Sequence, residues 1–385
     1  MTFAAALSQH PLATHAVGEV VGEVLDGVGE APDLALLFVS TAHTGAVDDI
    51  AGAVRDLLRP STLLGCTTAT VVGGGREVEQ GPAIALWAGA SVAATPFRLQ
   101  AEVSPDGAAV SGFPERADLP DDASGVLLLG DPFTFPAHEF VEGLRDQTGL
   151  DLPVVGGLAS AARGPGGSRL LLDGGIVDDG AVGVVLSGVE LSTVVSQGCR
   201  PIGSPMAVTR SERQVIYELA GRPALERVQE IVAGLGPEDL AMAQHGLHLG
   251  RVIDEQQADY GRGDFLIRNV IGGDRDAGAI AVGDEVQVGA TVQLQVRDAD
   301  SADEDLRRML HGRAADAALL FTCAGRGSNL FGEPDHDART VDEILGPLAM
   351  AGMSCAGEIG PVGGRSFLHG LTASLLMLSD PAGPA

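Results

Sequence analysis

The sequence of 385 residues contains no lysine, so arginine supplies all 24 of its permanently cationic side chains, against 52 acidic residues. The absence of lysine excludes Schiff-base catalysis and a Walker-type phosphate site. A formal net charge of −28 and an aromatic content of 4% disfavour nucleic acid as a partner, because phosphates require cations and bases require stacking surfaces. We therefore expect no nucleic-acid partner.

Cysteine is also scarce, and the four residues lie far apart without a CxxC pair: Cys66, Cys199, Cys323 and Cys355. A structural zinc site or a disulfide framework is therefore not expected, and the cysteines are predicted to be free thiols. The N-terminus lacks a basic region, and no apolar run has the length needed to cross a bilayer. These features predict a cytosolic protein that does not enter a membrane.

One pattern occurs three times along the chain. In each copy an apolar run is followed by a helix-period segment, a glycine that opens a second apolar run, a Gly-rich turn and a third run. The glycines (Gly65, Gly156 and Gly352) follow the ends of the first runs by 25, 25 and 29 residues. We predict that each glycine occupies a turn or a close approach that a side chain cannot enter.

Each copy predicts a strand, helix, strand, turn and strand. Two strands joined through a helix normally run parallel, and the tight turn then returns the third strand antiparallel. The predicted fold class is α/β, with mixed β-sheets covered by helices in an αββα-like layering. We predict two domains: residues 1–205 with two repeats, and residues 206–385 with the third repeat and an antiparallel insertion.

The glycine run from Gly73 to Gly75 invites comparison with a phosphate-binding loop. No helix follows it, and the acidic residues Glu77 and Glu79 come next, which an anion would avoid. We interpret this run as a hairpin turn between strands.

A combination of motifs resembles the FIST family over nearly the whole chain, as paired FIST-N and FIST-C domains. The motifs are Leu36–Ser40, Leu64–Thr67, Gly74–Glu77, Phe265–Gly272, Val296–Asp298, Ser354–Pro361 and His369–Gly370. The resemblance implies a sensory module for a small ligand, with amino acids proposed, that is commonly joined to histidine kinase, chemotaxis or cyclase modules. No such module is seen in the sequence, so we expect the signal to pass to a separate partner protein.

The resemblance leaves two alternatives open. Some family members resemble haem-based sensors of nitric oxide, so haem is a possible cofactor, with one of the nine histidines as its axial ligand. The sequence contains no HxH, HExxH or CxxCH pattern, and no metal ligand is predicted. The other alternative is an uncharacterised cysteine-dependent enzyme.

Arg326 and Glu358 follow the first two strands of the third repeat, where open α/β sheets place their ligands. If those strands are neighbours, a cation and an anion flank one crevice, as a zwitterionic amino acid requires. The alternative is that the two side chains pair with each other.

Arg268 and Asn269 are adjacent on a predicted strand and therefore point to opposite faces. Arginine within an apolar run requires a carboxylate, supplied either by a ligand or by the protein. Cys355, with Ser354 beside it and His369 later in the repeat, is either a nucleophile or a small buried apolar residue. No catalytic residue is predicted, and the predicted ligand-binding set is Arg268, Asn269, Arg326, Ser354, Cys355, Glu358 and His369.

Overall fold

A computed structural model describes residues 2–104, 107–149, 151–257 and 259–380. The chain is α/β with mixed sheets, as predicted, and it forms two compact units. Within these described ranges, the first unit contains residues 2–195, 306–368 and 372–380, and the second contains residues 196–305 and 369–371.

The helices and strands follow in chain order. The first repeat contains β1 (Phe3–Ser8), α1 (Ala13–Val28), β2 (Leu34–Ser40), α2 (Val47–Leu58), β3 (Thr62–Thr68), β4 (Val71–Gly73), β5 (Arg76–Val78) and β6 (Ile84–Gly89). The second contains β7 (Ala93–Ser104), β8 (Gly107–Ser111), β9 (Ala123–Gly130), α3 (Ala137–Thr148), β10 (Val154–Ala159), β11 (Leu170–Leu172), β12 (Gly175–Val177), β13 (Ala181–Ser187) and β14 (Glu190–Gln197). The insertion contains β15 (Cys199–Glu212), β16 (Val215–Leu219), β17 (Arg222–Pro223), α4 (Ala224–Ala233), α5 (Pro237–His245), β18 (Leu247–Val252), β19 (Phe265–Asp274), β20 (Ala279–Val282), β21 (Thr291–Arg297) and α6 (Ala299–Leu310). The third repeat contains β22 (Ala317–Cys323), α7 (Ser328–Phe331), α8 (His336–Leu345), β23 (Ala349–Val362), β24 (Arg365–His369) and β25 (Thr372–Ser379).

The three repeats share one strand order. In each, the first and second strands are parallel neighbours, and the third strand pairs antiparallel with the first: β6-β2-β3, β13-β9-β10 and β25-β22-β23. This is the arrangement that the internal repeat predicts.

A second set of pairings links the repeats in a closed cycle. Strand β4 of the first repeat pairs with β23 of the third, the end of β23 pairs with β10 of the second, and β11 of the second pairs with β3 of the first. Each pairing is antiparallel and falls on the second strand of another repeat. The three repeats are therefore joined by backbone hydrogen bonds.

The compact units group the three repeats as these pairings do, and the domain division at residue 205 stays a prediction. The third repeat lies in the same compact unit as the first two, whereas a boundary at residue 205 would separate them. The reason is that hydrogen bonds distant in sequence hold β22 to β25 in the sheet of the second repeat. The insertion between the second and third repeats supplies most of the second unit.

The layering of the first unit follows from its strands, along which successive side chains point to opposite faces of the sheet. Leu36 and Phe38 of β2 belong to the apolar core between the two sheets, where the rings of Phe38 and Phe321 lie 6.3 Å apart. Leu37 and Val39 face the other way and pack against α1 and α2. Helices α3 and α8 cover the outer face of the second sheet. The predicted αββα-like layering is confirmed.

The three repeat glycines lie at close approaches of neighbouring strands. A Cβ atom on Gly65 would lie 2.2 Å from the carbonyl oxygen of the facing leucine on the first strand; the same distance is 2.0 Å for Gly156 and 1.9 Å for Gly352. No side chain fits at these positions, as predicted.

The hairpin interpretation of the glycine run is also correct. Gly74 and Gly75 have φ values of +57° and +72° and connect β4 to β5. Glycine is suited to this left-handed region because it has no Cβ.

The second unit is an antiparallel sheet with the order β15-β21-β18-β19-β20-β16-β17, and α4 packs on its apolar face. The two strands predicted from the insertion, β19 and β21, are present in it. In the part of the chain that the structure describes, no helix is long and apolar enough to span a bilayer.

Candidate functional site

A cavity of about 310 Å³ lies within the first unit, where β22 and its parallel neighbour β23 approach the hairpin β4–β5. The first repeat supplies Ala69, Thr70, Glu77, Glu79 and Gln80, and the third supplies Thr322, Cys323, Ala324, Arg326, Gly327, Ser328, Asn329 and Ser354. Two larger cavities, of about 350 and 570 Å³, have charged side chains that are half-buried or exposed. The 310 Å³ cavity differs because charged groups in its wall are buried.

Arg326 is the buried cation of this cavity. Its side chain is 0% exposed, and Nε and Nη2 donate hydrogen bonds of 2.6 and 2.7 Å to Oδ2 and Oδ1 of Asp337, which is also 0% exposed. Although burial raises the pKa of Asp337, the adjacent guanidinium lowers it to about 2. Nη1 of Arg326 has no hydrogen-bond partner among the residues that the structure describes.

Aromatic and imidazole contacts hold this ion pair in position. His336 approaches Oδ1 of Asp337 through Nδ1 at 3.1 Å, and its ring stacks on Phe331 with the centroids 3.4 Å apart. The Arg326 guanidinium lies 5.2 Å from the centroid of the same phenyl ring. These contacts fix the direction in which Nη1 points.

Glu77 is the buried carboxyl group of the cavity. The residue is 4% exposed, and its Oε2 has no hydrogen-bond partner among the described residues. Burial, followed by the charge of Asp337, raises the pKa of Glu77 well above its ordinary value, and the charge of Arg326 partly opposes this. The cavity therefore contains one unsatisfied nitrogen of a cation and one unsatisfied oxygen of a carboxyl group.

The neighbouring Glu79 differs from Glu77 because its carboxylate is already engaged. Oε1 accepts hydrogen bonds from the backbone N–H of Ser328 at 2.8 Å and from its hydroxyl at 3.1 Å. Glu79 is half-buried. It stabilises the loop before α7, and its Oε1 is satisfied by the protein without a ligand.

Cys323 ends β22 and is half-buried in the cavity wall. Its Sγ accepts a hydrogen bond of 3.4 Å from the backbone N–H of Gly325, and its thiol is hydrogen-bonded to Glu358. Glu358 is fully buried, and its Oε2 accepts hydrogen bonds of 3.0 and 2.8 Å from the N–H and hydroxyl of Thr372. Burial raises the pKa of Glu358 to about 8.

A cluster of hydroxyl groups surrounds Ser354, which is one of the residues that line the cavity. Ser354 Oγ accepts a hydrogen bond of 3.0 Å from the backbone N–H of Thr70 and lies 3.1 Å from Ser160 Oγ. Thr68 Oγ1 donates to the carbonyl oxygen of Ser354 at 2.9 Å. Thr68 ends β3, Ser160 directly follows β10 and Ser354 lies within β23, so the second strands of the three repeats meet at this cluster.

The structure brings only some of the predicted site residues together. Arg326 and Ser354 line the cavity, and Glu358 lies behind it, next to Cys323. The predicted alternative of an Arg326–Glu358 ion pair is wrong, because both bonded nitrogens of Arg326 donate to Asp337.

The other predicted residues do not line this cavity. Arg268 belongs to the second unit and forms a salt bridge of 2.7 Å with Asp284, while Asn269 is exposed on the same strand. Cys355 is 0% exposed, and burial raises the pKa of its thiol, which fits a buried apolar role. His369 is buried and belongs to the second unit.

Sequence reasoning missed Glu77, Cys323 and Asp337. Cys323 could have been found from the repeat, because it occupies the strand-end position that Ser40 and Asp131 occupy in the other copies. Glu77 lies in the motif Gly74–Glu77, but no pattern in the sequence places it beside Arg326, because only the pairing of β4 with β23 brings its hairpin to this place.

The residues present do not fit a haem in this cavity. Among the described residues no histidine lines it, and charged and amide side chains occupy its walls. Within the described ranges, no group of three or more histidine, cysteine or acidic side chains is arranged to hold a metal ion.

Comparison with known proteins identifies the family. A sequence model of the FIST N domain matches residues 33–222, and one of the FIST C domain matches residues 224–361. The chain belongs to the FIST family. FIST domains are commonly taken as sensory domains in signalling. In this FIST protein the cavity is shared between both matched segments, because Glu77 comes from the first and Arg326 from the second.

The similar proteins are mycobacterial. An uncharacterised protein of Mycobacterium bovis is 45% identical over 381 residues, which cover 96% of this chain and 97% of that protein. An uncharacterised protein of Mycobacterium tuberculosis is 44% identical over 361 residues, which cover 91% of this chain and 92% of that protein.

Proposed function

We propose that this FIST protein is a signalling sensor that binds an α-amino acid in the cavity between Arg326 and Glu77. The observation that carries the proposal is the pair of unsatisfied buried atoms, Arg326 Nη1 and Glu77 Oε2, in the wall of one cavity. Leaving a buried charged group without a partner is costly. A ligand that satisfies both atoms gains that free energy on binding.

An α-amino acid has the two groups that these atoms require. Its carboxylate accepts a hydrogen bond from Nη1, and its ammonium group donates to Oε2. The ligand as a whole is neutral, so it adds no net charge to the buried site. The volume of about 310 Å³ lies at the lower end of the roughly 300–1,000 Å³ range of small-molecule sites. Ser354 and Cys323 are the neighbours available to the ligand side chain.

We further propose that the occupied state is read by a separate partner protein, such as a histidine kinase or a cyclase. The family's sensory role in signalling supports this step. The ligand contacts residues of two repeats at once, so its binding stabilises the association of those repeats. A partner protein that recognises the associated repeats then responds to ligand binding.

Isothermal titration calorimetry with a panel of amino acids tests the ligand class. Each amino acid is compared with an analogue that lacks the amino group and with one that lacks the carboxyl group. We expect at least one amino acid to bind and both of its analogues to bind at least tenfold more weakly, a difference of about 1.4 kcal/mol. If no amino acid binds, or if an analogue binds equally well, the ligand class is wrong.

Two neighbouring glutamates provide matched variants. Glu77→Gln removes the carboxyl group that the ammonium group of the ligand would ionise, and we expect it to weaken binding by about 2–5 kcal/mol. Glu79→Gln alters a half-buried carboxylate that the protein already satisfies, and we expect a change of less than about 1 kcal/mol. If the two variants weaken binding equally, Glu77 does not bind the ammonium group of the ligand.

The haem alternative requires a separate measurement. The visible absorption spectrum of the purified protein is recorded after incubation with haem. A stable Soret band that shifts on addition of nitric oxide would favour gas sensing over amino-acid binding.

A further inference from the structure

Cys323 is the least buried of the four cysteines. All four lie in the described part of the chain, and Cys66, Cys199 and Cys355 are at most 1% exposed. Cys323 is half-buried and forms part of the wall of the cavity that contains Arg326 and Glu77. A small molecule held between those two side chains therefore has a thiol next to it.

Two polar groups beside Cys323 interact with its sulfur. The guanidinium of Arg326 and the Cys323 thiol are close enough to interact electrostatically, and the Gly325 N–H donates to Sγ. Nearby cations and backbone N–H donors stabilise a cysteine thiolate. On the other side of the thiol lies the buried Glu358 carboxyl, which is hydrogen-bonded to it.

We propose that Cys323 undergoes thiol–disulfide exchange with a low-molecular-weight disulfide that carries an α-amino-acid group, of which cystine is the simplest. This inference rests on the proposed function, because Arg326 and Glu77 hold the amino-acid group while the thiol reacts. The unsatisfied Nη1 of Arg326 is the independent sign of a ligand at this thiol. The site then reports the oxidation state of a small thiol as well as its presence.

The exchange balances without a further reactant. The Cys323 thiolate attacks one sulfur of the ligand disulfide, a new S–S bond forms, and the ligand's S–S bond breaks. Cys323 is oxidised, and the departing half of the ligand is reduced and leaves as a thiolate. The proton of Cys323 is released to the solvent, and the departing thiolate takes up a proton from the solvent.

Intact-protein mass spectrometry after incubation with cystine tests this proposal. We expect one half-cystine adduct per chain on the wild type, located at Cys323 by peptide mapping and removed by a reducing agent. Cys355→Ser is the matched control and should be modified like the wild type, whereas Cys323→Ser should not be modified. If Cys323→Ser does not fold, the peptide map of the wild-type protein decides the position.

A comparison of two disulfides tests the role of the amino-acid group. We expect cystine to react at least about tenfold faster than bis(2-hydroxyethyl) disulfide, because Arg326 and Glu77 orient it. An amino acid that binds in calorimetry should slow the reaction by competition. Equal rates for the two disulfides, or an adduct at another cysteine, would overturn the proposal.

The calorimetric result distinguishes a failure of the disulfide-exchange proposal from a failure of the proposed amino-acid site. If an amino acid binds but cystine leaves Cys323 unmodified, the exchange is wrong and the amino-acid site remains. If no amino acid binds and cystine reacts no faster than the neutral disulfide, both proposals are wrong.

Discussion

At the residue scale, Arg326 and Asp337 have no exposed side-chain surface and bind each other through two hydrogen bonds. Removing one member of a buried ion pair leaves the other charge uncompensated, which costs about 3–5 kcal/mol. We predict that Asp337→Asn lowers the free energy of unfolding by about this amount in urea denaturation.

A surface pair provides the control for this prediction. Arg98 and Asp179 form a salt bridge of 2.7 Å, but their side chains are 39% and 51% exposed. Asp179→Asn should lower the free energy of unfolding by less than about 1 kcal/mol, because solvent screens exposed charges. If both variants are equally stable, the buried pair contributes no more to the free energy of unfolding than the surface pair, and the prediction is wrong.

Glu358 predicts a pH dependence of stability. Its pKa is about 8 in the folded protein and about 4.5 in the unfolded chain, so between these values the folded state holds a proton that the unfolded state lacks. Folding stability therefore falls as the pH rises from about 4.5 to about 8, and this contribution is constant outside that window. We predict that Glu358→Gln flattens the decline of the melting temperature between pH 5 and pH 8.

The comparison with wild type is essential for Glu358, because burial also raises the pKa of Glu77 and gives a slope of the same sign. The difference between the two melting curves isolates Glu358. Parallel curves over this pH range would show that Glu358 is ionised in the folded protein at neutral pH.

At the scale of the elements, the repeated glycines explain why the second strand can lie so close to the first. The Cβ of alanine at Gly65, Gly156 or Gly352 would overlap a backbone carbonyl oxygen, which cannot move without breaking the sheet. We predict that each Gly→Ala substitution lowers the free energy of unfolding by about 1–3 kcal/mol or more.

Gly52 is the matched control for these substitutions. It lies inside α2, and nothing lies within 4 Å of where its Cβ would be. Alanine there should be neutral or stabilise the protein by about 0.5–1 kcal/mol, because it reduces the conformational freedom of the unfolded chain. A thermal denaturation series of the four variants in which all behave like Gly52→Ala would contradict this account of the sheet.

The same elements show how far sequence reasoning reaches. The strand order of each repeat was predictable, because short connections and a spacing of 25 or 29 residues between a strand end and a glycine leave few arrangements. The pairing of β4 with β23 was not, because it joins residues almost 280 positions apart and has no local signal. For this reason Arg326 and Ser354 were predictable site residues and Glu77 was not.

At the scale of the whole molecule, the cycle of strand pairings among the three repeats determines where the candidate site lies. The cavity is formed by a hairpin of the first repeat and by the end of β22, the loop that follows it and β23 of the third, and Ser160 of the second repeat bonds to Ser354 in its wall. The predicted division at residue 205 placed these groups in separate domains. The structure places them in one unit, so the site requires both FIST segments of the chain.

A crystal structure of the protein with its tightest-binding amino acid tests the central claim most directly. We predict density for one ligand in the 310 Å³ cavity, with its carboxylate within hydrogen-bond distance of Arg326 Nη1 and its ammonium group within hydrogen-bond distance of Glu77 Oε2. A ligand bound elsewhere, or one in this cavity that leaves both atoms without a partner, would contradict the account.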